Sequence, residues 1–210
     1  MSERFNVDVD DVMGSNYYVT TLTSSSYNAT IDGTVTVTVN LKDVYGDNVS
    51  GASVTVTASS GTFTQLNGSN ITAAASVTGT TNASGTFTLT YKCSEWGLIT
   101  FTANQTTTQI RVSGWKEVSV TGATSYATLY VNGESRTCDF RYYRTGYNFT
   151  STGPTLHSNA IPADYRPVLS VIAPAYDLTV NLTISIEGTI TGHTSATGSK
   201  TINAQVMWHY

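Results

Sequence analysis

The residues best suited to chemistry in this 210-residue chain are its three histidines, His157, His193 and His209. A histidine metal site is signalled by short spacings such as His-x-His or His-x-x-x-His, and neither joins these three. A nucleophilic hydrolase needs a serine or cysteine beside a histidine, and the sequence has neither a Gly-x-Ser-x-Gly turn nor a Cys-His signature. The sequence therefore predicts no metal site, no cofactor and no nucleophilic active site.

Carboxylates are a second possible source of chemistry, because paired carboxylates cleave glycosidic bonds. Those of the C-terminal half are distributed over several predicted strands and are ordinary in number. A polysaccharide depolymerase therefore stays open as one alternative, while our prediction is that the protein is not an enzyme. The carboxylates concerned are Glu134, Asp139, Asp164, Asp177 and Glu187.

Acidic residues also cluster near the N-terminus, at Asp8, Asp10 and Asp11. A calcium loop of the EF-hand type also needs a glycine at its sixth position and a glutamate at its twelfth, and a loop that starts at any of these aspartates has neither. We interpret residues 1–14 as a leader that is disordered or that docks to a larger assembly.

Aromatic residues and arginines crowd together just before the longest predicted loop, which runs from residue 145 to 158. Flat aromatic faces beside Arg, Asn and Ser donors suit sugar rings or protein loops. Because side chains alternate along a strand, Phe140 and Tyr142 should be buried while Arg141 and Tyr143 are exposed. The predicted ligand-binding residues are Tyr143, Arg144, Tyr147, Asn148, His157, Trp208 and Tyr210.

The elements that must position these residues are predicted to be β-strands. Only 11% of the residues are charged, and Thr, Ser and Asn take their place, which is typical of all-β proteins. The run 34–41 alternates strictly between threonine or asparagine and an apolar residue, so one face packs and the other meets water. Seven or so such strands within about a hundred residues describe an antiparallel sandwich.

A second sandwich is predicted from residue 113 to 210, with a boundary near residue 112 and negligible helix. Two prolines in the segment 161–167 exclude a helix there and predict an extended corner, with Tyr165 packed and Arg166 paired. Cys93 and Cys138 fall in different modules, which favours two reduced, buried thiols. The predicted strands are 115–120, 126–131, 137–143, 168–173, 178–190 and 200–208.

Charge and hydropathy exclude several classes of partner. The net charge is −4, with a pI of about 5.2, and no basic run exists to bind nucleic acid. Up to residue 113 there are four basic and eight acidic residues, and beyond it six of each, so the second module suits uncharged or mixed ligands.

No apolar run is long enough to span a bilayer and no signal peptide begins the chain, so we expect neither membrane insertion nor export by that route. We expect the eight Asn-x-Ser/Thr sites to be unmodified.

Three segments of the first module carry a resemblance to a known family: 42–56, 81–91 and 97–103. In order and spacing they resemble the bacterial and archaeal immunoglobulin-like repeats of invasin-type adhesins, over about residues 30 to 112. The resemblance implies that residues 15–112 form an immunoglobulin-like spacer. The Thr-, Asn- and Tyr-rich composition also resembles adhesin-like proteins of methanogenic archaea.

The segment 161–167, with 115–118 upstream and 178–190 downstream, resembles the C-terminal tip domains of tailed-virus fibre and baseplate proteins. It implies that residues 113–210 are a receptor-binding tip in a virion tail, trimeric and therefore avid. The expected partners are other virion tail proteins and a glycan, wall polymer or protein on the host cell. Two alternatives stay open: a cellular surface adhesin of the immunoglobulin-like repeat type, and a purely structural virion spoke.

Overall fold

The computed structural model describes residues 18–151, 153–176, 180–195 and 197–210. The predicted leader, with its acidic cluster, lies outside the described residues. The chain divides into two compact units between Ser113 and Gly114, next to the boundary expected from the sequence. Nearly all regular structure is β, so the predicted all-β fold with two sandwich modules is confirmed.

The N-terminal unit consists of two five-stranded sheets, one ordered β1-β3-β8-β5-β6 and the other β2-β10-β9-β4-β7. All neighbouring strands are antiparallel except β2 and β10, which run parallel. The strands are β1 (Val19–Ser24), β2 (Asn28–Thr30), β3 (Thr34–Lys42), β4 (Ser53–Ala58), β5 (Thr62–Leu66), β6 (Ser69–Ala74), β7 (Ser76–Thr80), β8 (Thr86–Lys92), β9 (Gly97–Ala103) and β10 (Thr106–Ser113).

Aromatic rings join the two sheets of this unit into a sandwich. The ring of Phe101 on β9 lies 5.8 Å from that of Phe63 on β5 and 4.9 Å from that of Tyr91 on β8. Burial raises the pKa of Tyr91 to about 12, and its hydroxyl donates to the carbonyl of Ser60 at 2.7 Å. The predicted alternation of β3 is confirmed by the buried residues Val35, Val37, Val39 and Leu41.

The C-terminal unit pairs two four-stranded sheets, ordered β11-β12-β13-β18 and β14-β17-β16-β15. An antiparallel bridge between Ala175 and Ala204 links an edge of one sheet to an edge of the other. The strands are β11 (Lys116–Val118), β12 (Ala127–Asn132), β13 (Thr137–Phe149), β14 (Thr155–His157), β15 (Val171–Pro174), β16 (Val180–Ile184), β17 (Ile190–Thr194) and β18 (Gly198–His209).

The predicted long strand 178–190 is wrong: its described part is a hairpin of β16 and β17. Ser185 N donates to Thr189 O, and Gly188 N donates back to Ser185 O. Gly188 has φ +77°, a left-handed conformation that glycine adopts without strain and that closes the turn. Leu178 and Thr179 lie outside the described residues.

The predicted loop 145–158 is also too long. Strand β13 continues to Phe149, with a register shift between Arg144 and Tyr147 where the chain bulges out of the sheet. Gly146 has φ +67° in this bulge, and this conformation accommodates the one extra residue of β13 before pairing with β18 resumes. The predicted strand 168–173 likewise begins only at Val171.

The proline corner contains one turn of 3-10 helix, Ala163–Tyr165, where the sequence predicts an extended bend. The prolines at either side prevent a longer helix. Tyr165 is half-buried, and Arg166 Nε donates to the Ile161 carbonyl at 3.0 Å. Tyr165 also packs against Tyr210, so the predicted packing of Tyr165 and pairing of Arg166 both agree with the structure.

The two cysteines are free and buried, as predicted. Burial raises the pKa of Cys138 to about 12 and raises that of Cys93 as well, so both thiols stay protonated and unreactive at neutral pH.

Within the described ranges, no helix has the length and apolar character needed to cross a bilayer.

Candidate functional site

Three of the predicted binding residues, Arg144, Tyr147 and His157, lie close together at the bulge of β13. The Arg144 guanidinium carbon lies 4.4 Å from the ring centre of Tyr126 and 4.5 Å from that of Tyr147. Contacts of this kind between a cation and an aromatic face are worth about 0.5–2 kcal/mol each. We call the group formed by Tyr126, Tyr142, Arg144, Tyr147 and His157 the Arg144 cluster.

His157 joins the cluster from β14, in the opposite sheet. Its Nε2 lies 3.0 Å from the hydroxyl oxygen of Tyr142, and its ring centre lies 6.3 Å from that of Tyr126. Burial and then the positive charge of Arg144 lower the pKa of His157, against a hydrogen bond with the Gly122 backbone that raises it. The imidazole is therefore neutral at pH 7, and Arg144 carries the positive charge of the cluster.

Arg144 has no counter-ion among the described residues: no described carboxylate forms an ion pair with it. Arg141, three residues earlier on the same strand, forms an ion pair with Asp139 at 2.7 Å. A charged hydrogen-bond donor held between two rings without a carboxylate partner is prepared to receive an acceptor from a ligand.

The bulge of β13 determines where Tyr147 lies. Its ring packs edge-on against Phe149, with 4.9 Å between the ring centres, and Phe149 is buried in the unit's core. Tyr147 is consequently half-buried. The sequence predicts an exposed ring whose removal would affect only ligand binding. Because the ring is half-buried, we expect removal of Tyr147 to reduce stability as well.

The structure separates the other predicted residues from the Arg144 cluster. Tyr143 is 58% exposed and lies on the opposite face of β13, as alternation predicts; Asn148 is also exposed. Tyr210 packs with Tyr165, at 5.3 Å between ring centres. The burial of Phe140 and Tyr142 and the exposure of Arg141 agree with the predicted alternation.

Trp208 is the one predicted binding residue that the structure contradicts. Only 5% of it is exposed, its Nε1 donates to the Tyr165 carbonyl at 2.9 Å, and its ring lies 6.2 Å from that of Phe140. A ring in this position packs the core and offers no face to a ligand.

Tyr126 and Tyr142 were missed by sequence reasoning as site residues. Tyr142 is buried, yet its hydroxyl reaches His157 across the sandwich, and Tyr126 O accepts a hydrogen bond from Tyr143 N at 2.7 Å. The pairing of Ala127 with Tyr142 follows from the tight turn between β12 and β13. That hairpin is the signal in the sequence that places Tyr126 beside the cluster.

The arrangement is suited to binding. Arg144 supplies a cation, Tyr126 and Tyr147 supply aromatic faces, and His157 supplies a neutral imidazole. Across the described part of the chain, no group of three or more His, Cys, Asp or Glu side chains is arranged to hold a metal ion. Of the carboxylates considered for glycoside cleavage, Asp139 is bonded to Arg141 and Gln205, and Asp177 lies outside the described residues.

No family model matches the chain, and no curated protein matches its sequence. Among solved structures, the chain is similar to the adhesin InvE of Yersinia pseudotuberculosis, at 17% identity over 91% of this chain and 59% of that one, with a TM-score of 0.36. It is also similar to domains 5–6 of the S-layer protein SbsC, at 14% identity over 90% and 98% of the two chains, with a TM-score of 0.29. The third is the collagen adhesin CNA of S. aureus, at 14% identity over 92% and 93%, with a TM-score of 0.31. The chain thus spans 59% of the length of the InvE chain.

Proposed function

We propose that this protein attaches its bearer to a cell surface, with the C-terminal unit as the binding part and the N-terminal unit as a spacer. The observation that carries the proposal is the environment of Arg144. Its guanidinium is stacked between Tyr126 and Tyr147 and has no ion-pair partner among the described residues. A ligand that brings a carboxylate or phosphate to this guanidinium forms charge-assisted hydrogen bonds, which are about twice as strong as neutral ones.

The receptor in this proposal is a glycan or wall polymer of the cell surface, with a surface protein as the other possibility. Aromatic faces give contact area at small entropic cost. The charge of Arg144, which no described carboxylate neutralises, favours a polymer that carries carboxylate or phosphate groups, because the guanidinium forms paired hydrogen bonds to such groups.

Within this function, we assign the protein to the tail fibre or baseplate of a tailed virus, as a trimer in contact with other tail proteins. This part rests on the resemblance of segment 161–167 and its flanking segments to viral tip domains. The alternatives are a cellular adhesin, located at the cell surface, and a structural virion spoke. Light scattering tests the trimer, and antibody labelling of virions and cells tests the location.

The attachment function itself is tested by binding of the fluorescently labelled full chain to a panel of bacterial and archaeal cells. We expect saturable binding to some members, and an affinity loss of about tenfold or more in Arg144→Gln, since a charged hydrogen bond is worth about 1.5–3 kcal/mol. The matched control is Arg111→Gln, an exposed arginine of the N-terminal unit. A structural spoke binds no cells, and equal losses in both variants contradict a site at Arg144.

A further inference from the structure

The opposite face of β13 carries a second group of polar and aromatic side chains. Because Phe140 and Tyr142 face the core, Asp139, Arg141 and Tyr143 face outward. Strand pairing places Tyr130 and Met207 beside Asp139, and Gln205 beside Arg141. The result is one row of side chains across three strands on the outer surface of the sheet.

Asp139 is the centre of this row and is only 8% exposed although it lies on an outer face. Its Oδ2 accepts hydrogen bonds from Arg141 Nε at 3.1 Å and from Arg141 Nη2 at 2.7 Å. Its Oδ1 accepts one from Gln205 Nε2 at 2.8 Å. These bonds restrain Arg141 and Gln205 before a ligand arrives, which lowers the entropy lost when a ligand binds to them.

Aromatic side chains border this polar row on both sides. On one side, Trp115 and Tyr130 line a depression of about 270 Å³ together with Asp139 and Arg141, and the Arg141 guanidinium lies 5.7 Å from the Tyr130 ring centre. Trp115 is 44% exposed. Two aromatic rings, Trp115 and Tyr130, therefore lie next to the polar row on the side of β12.

On the other side of Gln205 lies a second depression, of about 510 Å³, lined in part by Tyr176, Gln205 and Met207. Tyr176 is 72% exposed, and its hydroxyl lies 3.5 Å from Gln205 Oε1. From β12 to the end of β15 the surface crosses three strand spacings of about 4.8 Å, or about 14 Å in all. That length suits an oligomer better than a single small molecule.

The charge of this face favours a neutral ligand. Arg141 is neutralised by Asp139, and the exposed Glu117, which pairs with Tyr130, adds a negative charge. An anionic polymer is therefore repelled, whereas hydroxyl groups find both donors and acceptors in the Arg141, Asp139 and Gln205 side chains.

We propose that the outer face of the sheet β11-β12-β13-β18 binds a neutral oligosaccharide. Its sugar rings lie against Trp115 and Tyr176, and its hydroxyl groups bond to Arg141, Asp139 and Gln205. The proposal shares with the attachment function only the premise that the C-terminal unit binds carbohydrate. It involves none of the side chains of the Arg144 cluster.

The test is binding of the purified full chain to an array of short neutral and anionic oligosaccharides, at low and high salt. We expect one or more neutral members to bind with an affinity that salt hardly changes, because the interaction involves no ionic pair. Against the best neutral member, we expect Trp115→Ala and Tyr176→Ala each to lose about threefold to tenfold in affinity, the range typical of one aromatic contact.

The matched control is Tyr45→Ala, which removes a ring of the N-terminal unit that is 70% exposed and should leave the affinity unchanged. Trp115→Phe keeps a ring and should restore part of it. Binding of no neutral member, salt-sensitive binding of anionic members alone, or full affinity in both alanine variants overturns the proposal. Because no cells are used, failure here is separate from failure of cell attachment.

Discussion

The two units share a sandwich architecture and differ in what their outward faces carry. On the N-terminal unit, register places Thr36 opposite Thr90 and Thr38 opposite Thr88, across the central strands β3 and β8. On the C-terminal unit, the corresponding outward row holds Tyr130, Asp139 and Met207. The N-terminal row consists of small threonine side chains, whereas the C-terminal row combines an aromatic, a charged and an apolar side chain.

The comparison shows which side chains a sandwich needs for folding. Threonine pairs such as Thr55 and Thr78, with their hydroxyl oxygens 2.7 Å apart, stabilise neighbouring strands while exposing little apolar area. A face of that kind is sufficient for the N-terminal unit. Large exposed rings are not needed for such pairing and favour aggregation when they form a continuous surface, so the rings on the outer sheet face of the C-terminal unit are candidates for binding.

The largest effect should come from the core of the unit assigned as a spacer. Phe101→Ala removes the ring that packs on Phe63 and Tyr91, and we expect a loss of about 3–5 kcal/mol in the free energy of unfolding, measured with urea. Thr102→Ala, at the exposed neighbour, should change it by about 0.5 kcal/mol or less. Cell binding by Phe101→Ala at temperatures where it is folded should match the wild type; loss of binding by the folded variant contradicts the spacer role.

The second largest effect is expected for Trp208→Phe, which tests the core of the C-terminal unit. The variant keeps a ring against Phe140 but leaves the Tyr165 carbonyl with only the thiol of Cys138, at 3.6 Å. We expect a loss of about 1–3 kcal/mol in the free energy of unfolding and unchanged cell binding by the folded protein. Trp115→Phe, at an exposed ring, should cost about 0.5 kcal/mol or less. Reduced binding without reduced stability returns Trp208 to the list of ligand contacts.

The fold was predictable where alternation is strict and bounded by turns, as in β3. The same rule failed at 178–190, because the apolar period of two continues through the turn: Ile184 is buried, whereas Ile186 follows in phase and is 51% exposed. Gly188 is the local signal of the turn, but a single glycine within a strand pattern is equally consistent with a bulge. A pattern of apolar residues identifies a face but does not show where the strand reverses.

The candidate site was predictable only where it depends on local alternation. Exposure of Tyr143 and burial of Tyr142 follow from the strand period. The contact between Tyr142 and His157 requires β14 to pack across the sandwich, and the Asp139–Gln205 bond requires β18 to pair with β13. Such long-range pairing depends on the whole fold, so neither could be predicted from the spacing of residues.

A smaller effect distinguishes the two units by pH, since every histidine lies in the C-terminal unit. The pKa of His157 is lowered in the folded protein, so the unfolded chain binds its proton first as pH falls below about 6.5. The free energy of unfolding is therefore unaffected by protonation of His157 above that pH. It falls as pH drops from about 6.5 towards the lower pKa of the folded protein. Between pH 7 and pH 5, the melting temperature of His157→Gln, measured by calorimetry, should therefore fall less steeply than that of the wild type. Equal falls in the two proteins contradict a lowered pKa of His157.

The smallest effect on folding, and the finest test of which face binds cells, is expected for Tyr143→Ala. Its ring is mostly exposed and lies on the side of β13 opposite the Arg144 cluster. The free energy of unfolding should change by about 0.5 kcal/mol or less. Cell binding should weaken less than in Arg144→Gln, because the ring lies on the face of β13 opposite the proposed attachment site. A loss as large as that of Arg144→Gln would mean that the receptor contacts both faces of β13, and unfolding would mean that Tyr143 is a structural residue.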